Sequence, residues 1–175
     1  MRVIGSLRYQ AWYLGLALLV VTPLPVRAQG NAPAPCTSAE HHQFDFWLGK
    51  WTVRDSAGKQ IGMSEIQSVS GGCALLENWQ DMKGGSGKSL NMYEPSAKHW
   101  TQTWIGSGGG ILRLSGGLED GKMVLRDDRV TARGPLKDRI TWAPLPDGRV
   151  RQTWDISTDD GATWRTTFDG YYARR

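Results

Sequence analysis

Two cysteines, three histidines and three phenylalanines in 175 residues leave little material for a cysteine-rich scaffold or a zinc cluster. No apolar run reaches the ~20 residues that a bilayer-spanning helix needs. Gly-x-Ser-x-Gly and His-Glu-x-x-His are both absent, which removes the best-marked serine-hydrolase and zinc-peptidase patterns. A lasting excess of charge is lacking too. The formal charge of +4, from 21 basic and 17 acidic side chains, points at first to an anionic partner. However, Arg2, Arg8 and Arg27 all fall in residues 1–28, which contain no acid. Residues 29–175 carry 18 basic and 17 acidic side chains, a net of +1, so nucleic acid loses its support as a partner.

Those first 28 residues read as an export signal. Arg2 and Arg8 precede the charge-free stretch Ala11 to Val21, Pro23 and Pro25 end any helix, and Val26-Arg27-Ala28 has the small-residue spacing of a cleavage site. An uncleaved anchor is the competing reading, and the short apolar run disfavours it. The expected organisation is a signal peptide over 1–28, a flexible Pro/Ala/Asn lead-in over 29–38 and one domain over 39–175. The protein is therefore expected to be secreted, into the periplasm, with no integral membrane span after cleavage. In an oxidising compartment the pair Cys36 and Cys73 reads by default as a disulfide. Closing a loop of about 37 residues, it would contribute on the order of 3 to 4 kcal/mol.

Tryptophan and glycine, by contrast, are plentiful: nine Trp and 22 Gly. Thr37-Ser38-Ala39-Glu40 has capping-box spacing, and Phe44, Trp47 and Leu48 come after it at helical intervals, which predicts a helix of two to three turns ending at Gly49. From Trp51 onward ten short β-compatible runs alternate with Gly-, Pro- and Asp-rich turns such as Gly108-Gly109-Gly110 and Pro146-Asp147-Gly148. Hairpin spacing implies an antiparallel meander. The expected fold is all-β, an antiparallel up-and-down β-barrel of 8 to 10 strands with one short N-terminal helix, because closure removes the open edges of a flat sheet.

Period-two alternation puts Trp100, Gln102 and Trp104 on one strand face, and Val150, Gln152, Trp154 and Ile156 on another. Glu77 lies with Leu75 and Trp79, and Asn91 with Tyr93. The candidate ligand-binding set is thus Glu77, Trp79, Asn91, Tyr93, Gln102, Trp104, Arg113, Trp142, Gln152 and Trp154. Indole faces can stack on a planar or sugar ligand while amides and the carboxylate orient it. The alternative is a filled core in which these polar groups satisfy one another. Arg113, between Leu112 and Leu114, has the least defined facing.

Three other strings read as structural. Gly84-Gly85-Ser86-Gly87-Lys88-Ser89 lacks a helix after it and reads as a hairpin rather than a phosphate loop. Ser157-Thr158-Asp159-Asp160-Gly161-Ala162-Thr163-Trp164 matches an Asp-box, but the chain has no room for a propeller, so it too reads as a hairpin turn. His41 and His42 are adjacent and point apart, which suits surface positions better than a metal site.

Gly49-Lys50-Trp51, after a short helix and opening the first strand, resembles the Gly-x-Trp signature of lipocalins. Together with Phe44-Asp45-Phe46-Trp47-Leu48, with Gly71-Gly72-Cys73-Ala74-Leu75-Leu76-Glu77-Asn78-Trp79 and with Trp100-Thr101-Gln102-Thr103-Trp104, it resembles an exported bacterial family of lipocalin-like (calycin) domains without assigned function. The resemblance spans Cys36 to Tyr172 and implies a fold in which Trp51 packs across the closed barrel end. The function expected is small-molecule binding inside the barrel, with no cofactor, no metal and no catalytic residue assigned. Two alternatives stand beside it: an enzyme using Glu77 as general base with Gln102 or Arg113 orienting the substrate, and an interaction module with a filled barrel.

Overall fold

Short alternating runs joined by tight turns have one way to satisfy every strand edge, and the chain takes it. The computed structural model describes residues 35–175, and residues 1–28, read above as an export signal, and most of the lead-in lie outside them. Ten strands, β1 (Gly49–Arg54), β2 (Gln60–Val69), β3 (Ala74–Asp81), β4 (Ser86–Glu94), β5 (His99–Gly106), β6 (Ile111–Glu119), β7 (Lys122–Thr131), β8 (Gly134–Pro144), β9 (Val150–Ser157) and β10 (Arg165–Arg174), succeed one another. Each pairs antiparallel with the next, and β1 pairs with β10, with Val53 opposite Tyr172, so the barrel closes. All ten expected runs are present in order. The largest extensions are in β7 and β8, whose mouthward halves carry Asp127, Arg129 and Asp138 and therefore look like loop in an apolar pattern.

The helical segment forms where expected but in 3-10 geometry, as two short turns, Ala39–His42 and Asp45–Trp47. Ser38 makes no side-chain cap; its hydroxyl is hydrogen-bonded to Nδ1 of His41 at 3.0 Å instead. His41 is buried against the edge of Tyr93, 5.3 Å between centroids, so the surface expectation holds for His42 alone. Packing overrides propensity here, because the segment must bend to insert Phe44 and Trp47 into the barrel end.

That end is an aromatic plug. Phe44 stacks on Trp47 at 5.0 Å and meets Trp142 at 5.2 Å and Trp100 at 5.7 Å. Trp51 donates from Nε1 to the Trp47 carbonyl at 2.9 Å, and the Arg174 guanidinium lies 4.5 Å above its ring. Cys36 and Cys73 are joined as a disulfide, which ties the start of the plug to the β2–β3 connection at the same end.

The Asp-box string is the β9–β10 hairpin. Asp159 accepts from the Thr163 backbone N–H at 2.8 Å, Ser157 Oγ accepts from Gly161 N–H at 2.8 Å, and Gly161 takes φ +91. Trp164 lies on the outer wall under Arg139, 4.2 Å from its guanidinium. The Gly-rich string before Lys88 forms the β3–β4 turn and runs directly into β4, not a helix.

Candidate functional site

Odd-numbered strands all run from the plug toward the opposite end, so a string such as Trp100-x-Gln102-x-Trp104 climbs through the interior one layer per two residues. The layers differ in chemistry. Trp51, Trp100 and Trp142 lie at the bottom, buried with the plug. Glu77, Gln102 and Gln152 come next, and Trp79, Trp104, Trp154 and Phe168 above them.

Above the polar layer is a cavity of about 650 Å³, lined by Glu77, Gln102, Gln152, Tyr172 and the four upper aromatics together with Leu112 and Ile140. Its mouth is formed by the β1–β2 turn, with Asp55 and Lys59, and the β3–β4 turn, with Asp81, Met82 and Lys83. The indoles can leave this space empty because the wall behind them is thinned. A Cβ on Gly62 would come within 2.4 Å of the Trp79 ring, and one on Gly106 within 2.4 Å of the Trp104 ring. Both rings therefore lie flat against the barrel wall rather than across its lumen.

The polar layer consists of a hydrogen-bonded network around Glu77 and a separate Tyr172–Gln152 pair. Ser64 donates to Oε1 of Glu77 at 3.0 Å and Ser89 to Oε2 at 2.9 Å. Asn91 donates to Ser89 Oγ at 3.0 Å and to the Leu75 carbonyl at 3.2 Å, and Gln102 donates to Asn91 Oδ1 at 2.7 Å. The Tyr172 hydroxyl donates to Gln152. Burial pushes the Glu77 carboxyl up from 4.5 to about 7, against the opposing effect of the Ser89 and Ser64 hydroxyls. Tyr172 is held well above its ordinary value by burial and by the charge of Glu77. Among the described residues no cation pairs with Glu77.

Trp154 is fixed separately. Its Nε1 donates to Oδ1 of Asp138 at 2.7 Å, and Oδ2 of Asp138 lies 2.8 Å from Arg129, which also holds Asp127 at 3.0 Å. Asp138 has no exposed side-chain surface, and burial raises its carboxyl despite these partners.

Of the ten candidate residues, six line the cavity: Glu77, Trp79, Gln102, Trp104, Gln152 and Trp154. The other four are placed elsewhere. Arg113 points outward, because Leu112 and Leu114 take the interior positions of β6. Trp142 is consumed by the plug, 5.2 Å from Phe44. Tyr93 sits at the plugged end between His41 and Trp100. Asn91 is fully buried beneath the cavity and acts on it only through Gln102 and Ser89.

Ser64, Ser89, Phe168, Tyr172 and Asp138 were not in the candidate set. Extending the alternation through Gly62-x-Ser64-x-Ile66, Ser89-x-Asn91-x-Tyr93, Asp138-x-Ile140-x-Trp142 and Phe168-x-Gly170-x-Tyr172 finds them. The register shift between Thr166 and Phe168 hides the last of these, since it reverses the facing on its N-terminal side.

Fold and site together define a closed ten-stranded barrel with one plugged end and an aromatic-walled interior cavity. No protein-family model matches the chain, and no curated protein matches it either. Among the described residues no helix is long and apolar enough to cross a membrane, and no three His, Cys, Asp or Glu side chains converge as a metal site.

Proposed function

We propose that this protein is an exported, lipocalin-like barrel that binds a small molecule in its interior cavity. The observation that carries the reading is the layered lining: indole faces and Phe168 around about 650 Å³ of space, over a floor bearing Glu77, Gln102 and Gln152. That volume lies inside the usual range for ligand sites, and few-point polar orientation inside aromatic walls is their usual composition. Export, to the periplasm of a bacterial cell, is supported by the leader pattern in residues 1–28 and by the Cys36–Cys73 disulfide. The Gly-x-Trp entry into β1, with Trp51 packed across the plugged end, supports the lipocalin likeness.

Titration with a panel of aromatic, sugar and amphiphilic compounds is expected to shift tryptophan fluorescence, through Trp79, Trp104 and Trp154. Gly106→Val should weaken that binding at least tenfold while leaving far-UV circular dichroism unchanged, because the added side chain drives the Trp104 ring into the lumen. A panel that leaves the fluorescence unmoved would overturn the reading.

A second reading has its own observation. Glu77, held at about 7 inside a cavity, has the acidity a general base needs near neutral pH. In it Gln102 orients the substrate, while Arg113, on the outer face, has no part. Glu77→Gln should then abolish turnover of a bound compound without loss of fold; retained turnover would remove this reading.

A further inference from the structure

Glu77 stands apart from every other acid near the cavity. Asp55 and Asp81, at the mouth, are committed to their turns: Asp55 accepts from the Ala57 and Lys59 backbone, and Asp81 from that of Lys83 and Gly85, while Asp138, behind Trp154, is paired with Arg129, which also holds Asp127. Glu77 lies four residues inward of Asp81 on β3, about 13 Å along the strand. The interior polar side chains around it are Ser64, Ser89 and Asn91 on the two adjoining strands and Gln102, Gln152 and Tyr172 beyond them, and none is cationic. Lys59 and Lys83 stay at the exposed mouth.

Two serine hydroxyls occupy about half of the roughly four acceptor positions of a carboxylate. A buried charge with no counter-charge costs several kcal/mol. An entering anion would add repulsion, and a neutral molecule would leave the cost in place. A cation removes it and also gains from the indole faces, which attract positive charge through the ring quadrupole.

We propose that the cavity selects organic cations: an amine-bearing ligand whose ammonium group docks on Glu77 and whose apolar or aromatic body lies between Trp79, Trp104 and Trp154. This rests on the cavity being a ligand site. Binding is then coupled to a proton. Below about pH 7 Glu77 holds a proton that the ammonium group must displace, whereas the amine itself stays charged to well above pH 8.

A matched series separates the charge from the body: 4-phenylbutylamine, 4-phenylbutanol and 4-phenylbutyrate, titrated calorimetrically into the wild-type protein at pH 8 and pH 6. The amine is expected to bind at least tenfold more tightly than the alcohol at pH 8, with the acid weakest. Its affinity should fall by about tenfold at pH 6, while that of the alcohol stays constant. In Glu77→Gln the preference for the amine should vanish and the alcohol should still bind, which also reports that the variant has folded. Equal binding of the three compounds, no binding of any, or an amine preference that survives in Glu77→Gln overturns the cation assignment. Only silence across the whole compound panel overturns the ligand-site reading beneath it.

Discussion

Truncating Trp47 to alanine is expected to cost about 3 to 5 kcal/mol, the range for emptying a fully buried Trp site. The indole has no exposed surface and is enclosed by Phe44, Trp142 and Tyr172. Its neighbours cannot collapse into the gap, since Phe44 is stacked on one face and Trp142 is fixed to the β8 wall. Domains of this size carry about 5 to 15 kcal/mol in total, so the variant should sit near the edge of folding. Trp47→Phe should cost much less, because Nε1 of Trp47 makes no hydrogen bond among the described residues and only ring area is lost. Urea denaturation of both variants checks this. If phenylalanine costs as much as alanine, the plug owes its stability to something other than aromatic packing.

Glu77→Gln should make the protein more stable at alkaline pH. Glu77 is raised from 4.5 to about 7 on folding, so between those values the folded protein keeps a proton that the unfolded chain has released. Its stabilising contribution is therefore full below about pH 4.5 and lost as pH rises through about 7. The rise corresponds to about 3 kcal/mol. Glutamine has no such dependence. The stability difference between variant and wild type, from urea denaturation at pH 4.5 and pH 8, should grow by about 3 kcal/mol in favour of the variant. A difference that stays flat with pH would mean that Glu77 is solvated or paired in solution. A charge kept at that stability cost with hydroxyl partners and no counter-charge suits a binding residue.

How much of the fold and site is legible in the sequence depends on which interactions are local. Strand order, hairpins and the closed barrel can be read because turn residues and period-two alternation are properties of short segments. Gln102 and Gln152 can be placed inside for the same reason, since each alternates with Trp on one face. Whether a tryptophan fills space or borders it is not local. Trp100 and Trp104 share one face of one strand, yet the first is covered by Phe44 and the second rests against Gly87 of β4, and both partners arrive through tertiary structure. Arg113 misleads because alternation between two leucines fixes its parity only when theirs is known. The capping-box spacing at Thr37 to Glu40 is local as well, but the demand of the barrel end for Phe44 and Trp47 outweighs it.

The disulfide between Cys36 and Cys73 gives the molecule a direction. Without it the plug would be held to the wall by ring contacts and a few hydrogen bonds only. Bolted to the β2–β3 connection, the plug is a permanent base, and the barrel is a cup. On the ligand-site reading proposed above, a guest entering past Lys59 and Lys83 has to leave by the same door.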